Sequence, residues 1–278
     1  MSTDDLDFTQ PAQNAIYDPA VARAFFESAG AAQSVSQGES LFMQDQKGDK
    51  VYFLLEGEVS LMRGRKMIDI VKAGEIIGEM AMVSQQPRTA TALARMPCRV
   101  IALDARHFQV AFQRMPEFAL MLMSTTINRI RLTVATLSIG NTLSGQDRWR
   151  ECCVFDRASL SALLSELGDR TPLYAPRRKT IMSEGEAGVF MYVVLEGTVA
   201  ISIKGKAVEK VGEGGVFGEM ALVDKSPRTA TAVAESDCSL LTINRTDFLA
   251  LVKTRPDFAM SILRALADRL RFLTSRYG

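Results

Sequence analysis

Apolar and polar positions follow two different periods along this chain, and the switch between them occurs twice. In VYFLLEGEVSL, from Val51, and MYVVLEGTVAI, from Met191, apolar residues run in short stretches, and turns rich in Gly, Asp and Lys, such as RGRKM and KGKAV, separate such stretches. Closely spaced short strands of this kind predict a small β-sandwich or barrel. Ahead of each strand-rich stretch stands a short helical pattern, DPAVARAFFESAG near Asp18 and DRASLSALLSELGD near Asp156, opened by an aspartate suited to an N-cap. Behind each stretch the pattern predicts a helix pair, split at Pro116 and again at Pro256, where proline suits the first turn of the second helix. Leu120, Met123, Ile127, Ile130, Val134 and Leu137 are spaced 3, 4, 3, 4 and 3, the seam of a coiled coil. Leu263, Leu266, Leu270 and Leu273 carry the spacing 3, 4, 3 in the last helix.

The two halves are one module written twice. VYFLLEGEVSL aligns with MYVVLEGTVAI, IGEMAMVSQQPRTATALA from Ile77 with FGEMALVDKSPRTATAVA from Phe217, and DARHFQVAFQRMPEFALMLM from Asp104 with NRTDFLALVKTRPDFAMSIL from Asn244, all at an offset of 140 without a gap. A repeat of that size and fidelity is a duplicated domain. Residues 1–16 carry little hydrophobic pattern and read as a flexible N-terminal tail; 17–140 and 156–278 are the modules, joined by a linker at 141–155.

Composition narrows the function classes. With 278 residues, 47% of them hydrophobic and 23% charged, there is material for two globular cores. The 33 basic and 32 acidic side chains nearly cancel, which argues against general attraction to nucleic acid or to an anionic membrane. No apolar run is long enough to span a bilayer, and the acidic start MSTDDLDFTQ is unlike a signal peptide, so no membrane insertion and a cytoplasmic location are expected. Cys98 and Cys238 occupy matching places in strand-like runs and read as reduced core residues, whereas Cys152 and Cys153 are adjacent in the connecting segment. The only histidine is His107 and there is no Cys-x-x-Cys, so no metal site is expected. No nucleophile–base constellation and no Gly-x-x-x-x-Gly-Lys loop are present, which disfavours an enzyme.

The chemistry concentrates in one segment of each module. Gly78, Glu79, Met80 and Ala81 are followed, five residues on, by Pro87, Arg88, Thr89, Ala90 and Thr91; Gly218, Glu219, Met220 and Ala221 lead in the same way to Pro227, Arg228, Thr229, Ala230 and Thr231. Glycine permits close backbone approach, and small residues after it allow a helical turn with free N–H groups that favours anions. Arginine adds a planar fork matched to two phosphate oxygens. Glutamate accepts hydrogen bonds from sugar hydroxyls, and a threonine hydroxyl reaches phosphate or a base edge. Together these describe a site for a nucleotide with a compact phosphate.

The segment resembles the phosphate-binding cassette of the cyclic-nucleotide-binding domain family, which includes the bacterial catabolite activator protein, the regulatory subunits of cAMP- and cGMP-dependent kinases and the cyclic-nucleotide-gated channels. The resemblance covers about residues 17–140 and 156–275. It implies a mainly β fold with α: two double-stranded β-helix (jelly-roll) barrels, each flanked by an N-terminal helix and a closing C-terminal helix pair. Glu79 and Glu219 are then implied to take the ribose 2′-hydroxyl, and Arg88 and Arg228 the cyclic phosphate. Gly78, Met80, Ala81, Gly218, Met220 and Ala221 are implied to offer backbone contacts, with Thr89 and Thr229 touching phosphate or base. Neither copy departs from the pattern at these positions. The ligand is expected to be cAMP rather than cGMP, with no cofactor. A lid is expected around Arg129, Ile130 and Val134 in the first copy and Arg269, Leu270 and Phe272 in the second, although the same residues fit a helix face packed on its own barrel.

The expected output is indirect. No helix-turn-helix follows the second closing helix, and residues 1–22 hold no basic side chain of a kinase-inhibitory segment. Arg177, Arg178 and Lys179 are expected on a solvated strand edge. The reading is an adaptor that signals to an unknown effector protein, as a homodimer through residues 116–140. The alternative is a constitutive scaffold whose modules bind no nucleotide.

Overall fold

The structure, a computed structural model, describes residues 17–139, 150–168 and 170–275. The tail at 1–16, most of the 141–155 linker and the side chain of Leu137 lie outside the described residues.

The first repeat begins with α1 (Pro19–Glu27), followed by strands β1 (Ala32–Val35), β2 (Ser40–Phe42), β3 (Lys50–Glu56), β4 (Glu58–Arg63), β5 (Lys66–Lys72) and β6 (Ile76–Ile77). A short helix, α2 (Glu79–Ser84), leads to β7 (Thr91–Ala94) and β8 (Cys98–Asp104), and the repeat closes with α3 (Ala105–Arg114) and α4 (Pro116–Ile139). The second repeat is entered by β9 (Arg150–Cys152) and α5 (Arg157–Leu167), then β10 (Leu173–Ala175), β11 (Thr180–Met182), β12 (Phe190–Glu196), β13 (Val199–Ile203), β14 (Lys206–Val211) and β15 (Val216–Phe217). After α6 (Met220–Asp224) come β16 (Thr231–Ala234), β17 (Cys238–Asn244), α7 (Arg245–Thr254) and α8 (Pro256–Ser275).

Each repeat folds its strands into a jelly-roll-like pair of antiparallel sheets; no closed barrel is formed among the described residues. The orders β1-β8-β3-β6 and β2-β7-β4-β5 recur as β10-β17-β12-β15 and β11-β16-β13-β14. The second repeat adds one strand: β9, from the segment expected to be a linker, lies parallel to β14, pairing Glu209 with Arg150. Arg150 Nη1 donates to the buried Glu209 carboxylate at 3.0 Å. In the first repeat the two sheets share one core, with Leu54 and Val100 from one and Val59, Ala92 and Ala94 from the other. Alternation of apolar residues on these strands therefore points inward, as period 2 requires.

The helices end where the sequence provides caps. Asp18 accepts from Ala20 N, and Asp104 and Asp156 accept from His107 N and Ser159 N, all at 2.8 Å. Such side chains satisfy first-turn amides that have no partner in the helix. Pro116 and Pro256 open α4 and α8, as expected. Arg177, Arg178 and Lys179 sit in the turn between β10 and β11 rather than on a strand; Arg178 takes a left-handed φ of 72° because the chain reverses there.

The compact units cut across the repeats. One holds Tyr17–Thr126 and the residues from Ala250 onward; the other holds Ile127–Leu249. The divisions fall inside α4 and inside α7, so the strands of each repeat are grouped with a closing helix of the other. Within the first unit, α8 packs against α2.

Of the predicted seam on 116–140, Met123, Ile127, Ile130 and Val134 are buried within the chain itself and Leu120 is half-buried.

Candidate functional site

Strand β6 delivers the chain to Gly78, and β15 delivers it to Gly218. Both glycines take left-handed backbone angles, φ 86° and 80°. A Cβ at Gly78 would lie 2.4 Å from Arg88 Nη1, and one at Gly218 would lie 2.7 Å from Arg228 Nη1. Glycine is thus required twice over, for the turn and for the close approach of arginine. Glu79 opens α2 and Glu219 is the N-cap of α6. Ala81 and Ala221 are buried, whereas Met80 and Met220 are half-buried.

Arg88 and Arg228 are the defining groups. They are only 2% and 6% exposed. Arg88 Nη1 donates to Gly78 O at 2.7 Å and Nη2 donates to Lys50 O; its guanidinium carbon stands 4.0 Å from the centre of the Phe42 ring. Arg228 Nη1 donates to Gly218 O at 2.6 Å and Nη2 to Phe190 O at 2.5 Å, with Tyr192 beside it. Backbone bonds pin each arginine in place: Arg88 N donates to Gln46 O and Arg228 N to Glu186 O, each at 2.8 Å. A buried cation held on neutral carbonyls is poorly compensated. Accordingly, burial pulls both guanidiniums below their ordinary pKa, against the opposing pull of Tyr52, Asp49 and Glu79 on Arg88. Tyr192, Glu219 and Glu186 oppose it at Arg228.

Of the sequence-predicted residues, Gly78, Glu79 and Arg88 come together in the first repeat, and Gly218, Glu219 and Arg228 in the second. The copies differ in detail. Glu219 is 0% exposed whereas Glu79 is half-buried; Thr229 is half-buried whereas Thr89 is exposed. Among the expected lid residues, Ile130, Val134 and Leu270 are buried.

Sequence reasoning missed several neighbours. Gly48 and Gly188 come so close that an added Cβ would meet Ala81 Cβ at 2.5 Å and Ala221 Cβ at 2.7 Å. Tyr52 and Tyr192 flank the arginines, and the Tyr52 hydroxyl donates to Leu41 O at 3.0 Å. Both pairs stand at the same 140-residue offset, a signal available in the sequence. Arg131 was also missed: its Nη1 donates to Thr229 Oγ1 at 2.7 Å. Among the described residues, no cluster of His, Cys, Asp and Glu could hold a metal ion, and no helix is long and apolar enough to cross a membrane.

The family model described as "Cyclic nucleotide-binding domain" matches residues 32–115 and 172–255. A cAMP-dependent protein kinase regulatory subunit from Eremothecium gossypii is 27% identical over 220 residues; the match takes in 78% of this chain and 43% of the relative, so the chain spans less than half of that protein's length. Two solved structures are among those similar to this chain. One is a co-crystal structure of the regulatory domain of Toxoplasma gondii PKA with cAMP (20% identity, 84% of this chain and 92% of that one, TM-score 0.32). The other is the N-terminal domain of a transcriptional regulator from Streptomyces coelicolor A3(2) (26% identity, 44% of this chain and 93% of that one, TM-score 0.36).

Proposed function

The chain belongs to the cyclic nucleotide-binding domain family, and we propose that both of its domains bind a cyclic nucleotide, with cAMP preferred to cGMP. The observation that carries this reading is the pair of buried arginines, Arg88 and Arg228, each held against a left-handed glycine by neutral carbonyls and each drawn below its ordinary pKa by burial. An incoming cyclic phosphate gives each buried guanidinium a direct anionic partner, through two parallel N–H···O bonds. Glu79 and Glu219 accept the ribose 2′-hydroxyl, and the amides beside Gly78, Met80, Ala81, Gly218, Met220 and Ala221 line the phosphate. Thr89 and Thr229 complete the contacts. No chemistry is done on the nucleotide.

Binding changes the chain by differential affinity. The nucleotide draws the α2 and α6 turns toward its phosphate, and the helices packed near them respond; a ligand shifts such an equilibrium only as far as it prefers one arrangement. The likeness to a kinase regulatory subunit supports a separate effector protein as the receiver of that change. Isothermal titration with cAMP and with cGMP tests the reading. Two sites are expected, each lost in Arg88→Ala or Arg228→Ala at a cost of about 2–5 kcal/mol. Absence of heat with either nucleotide would leave the constitutive scaffold as the better account.

A further inference from the structure

The guanidinium of Arg131 is fully engaged on the second cassette. Nε and Nη2 grip the Asp224 carboxylate, at 2.7 Å to Oδ2 and 3.1 Å to Oδ1, while Nη1 donates to Thr229 Oγ1 at 2.7 Å and to Pro227 O at 3.1 Å. Asp224 ends α6, and its side chain is 1% exposed against 24% for Arg131. The same carboxylate accepts from Ser226 N at 3.0 Å. One ion pair thus ties down both ends of the loop, Asp224 to Thr229, that carries Arg228. The geometry also sets a hydrogen direction. Because Thr229 Oγ1 accepts from Arg131, its own proton is left to point elsewhere, as a donor for a phosphate oxygen or a base acceptor.

The first cassette is built differently. Arg271 stands 140 residues after Arg131 and makes the matching bond, Nη1 to Pro87 O at 3.0 Å. At the place of Asp224, however, stands Ser84, whose hydroxyl donates back to Met80 O at 2.7 Å. A carbonyl bond replaces a bidentate ion pair.

We propose that Arg131, carried on the closing helix of the first repeat, is a positioning residue of the second nucleotide site, seated by Asp224 and acting through Thr229. The second site is therefore the pre-organised one, and the first repeat's α4 sets its affinity. Pre-organisation of this kind raises affinity by removing the ordering cost of binding. The inference rests on the two-site reading above for its ligand, but its structural half stands without one.

The experiment separates the two. Hydrogen exchange is followed in the ligand-free full chain across residues 225–230 and 85–90. Arg131→Ala is expected to speed exchange in 225–230 on the order of tenfold, with Arg131→Lys restoring part of the protection. Ser84→Asp is expected to slow exchange in 85–90, by giving Arg271 the carboxylate that it lacks, and Ser84→Asp/Arg271→Ala to cancel that gain. Should Arg131→Ala unfold the chain by stranding a buried carboxylate, the Ser84→Asp pair decides alone. Unchanged exchange in the Arg131 and Ser84 variants overturns the proposal. Titration with cAMP on an Arg88→Ala background then reads the second site by itself. Arg131→Ala is expected to weaken it about tenfold, the equivalent of one decade in Kd; undiminished affinity overturns the positioning role. If the Arg88→Ala protein with Arg131 intact takes up no cAMP, the function proposed above falls, while the exchange data still decide the latch.

Discussion

At the scale of single residues, two glycines and two arginines depend on each other. Gly78→Ala places a methyl group where Arg88 Nη1 now stands and forces a side chain onto φ 86°. Strain of that kind costs about 1–3 kcal/mol, so denaturant unfolding of this variant is expected to show a lower midpoint, with cAMP uptake at the first site reduced alongside. The capping aspartates give a pH dependence. Asp104 is held below the usual carboxylate value first by the His107 amide, and Asp156 by the Ser159 amide. A carboxyl depressed in the folded state contributes stability that is present above its unfolded pKa and lost as pH falls through the folded one. The melting temperature is therefore expected to fall as the pH is taken below the ordinary carboxylate value of 3.8, and to fall less steeply in Asp104→Asn and Asp156→Asn. At this scale the candidate residues were legible in the sequence, because GEMA and PRTAT name both the charges and the small residues. Their carbonyl partners, Lys50 O and Phe190 O, were not, since backbone acceptors leave no residue-type signature.

Among the elements, the strands and caps follow local pattern, and the helices follow packing. The first repeat fastens α1, α3 and α4 to one another and to β3 with an aromatic cluster: Phe25 stacks on Phe118 with centroids 3.5 Å apart, Phe108 meets Phe25 edge-on at 5.4 Å, and Phe26 stacks on Phe53 at 5.5 Å. In the second repeat α5 buries Leu160 and Leu163 instead. Phe118→Ala removes the ring on which Phe25 stacks and is expected to cost about 3–5 kcal/mol, read by urea denaturation. The apolar stripe of α4 was legible as a helix face, but its partner was not. A spacing of 3 and 4 specifies how much surface a helix must bury and is silent about which surface receives it.

For the whole molecule, the two proposed nucleotide sites on one chain imply linkage between ligand and stability. At a cAMP concentration a hundredfold above Kd, one site adds about 2.7 kcal/mol to the folded state. The melting temperature is accordingly expected to rise with cAMP in the parent chain, to rise less in Arg88→Ala or Arg228→Ala, and to stay level in the double variant. By itself the sequence determined the duplication, the strand-rich repeats, the proline-opened closing helices and the cassette residues, because each is written in local period or in residue identity at a constant offset. Only the tertiary structure decided that α8 lies on α2, that β9 joins the second repeat's sheet, and that Arg131 meets an aspartate 93 residues away. Contacts at such separation arise when chain segments of no shared pattern compete for the same buried surface, and only the folded chain records the outcome.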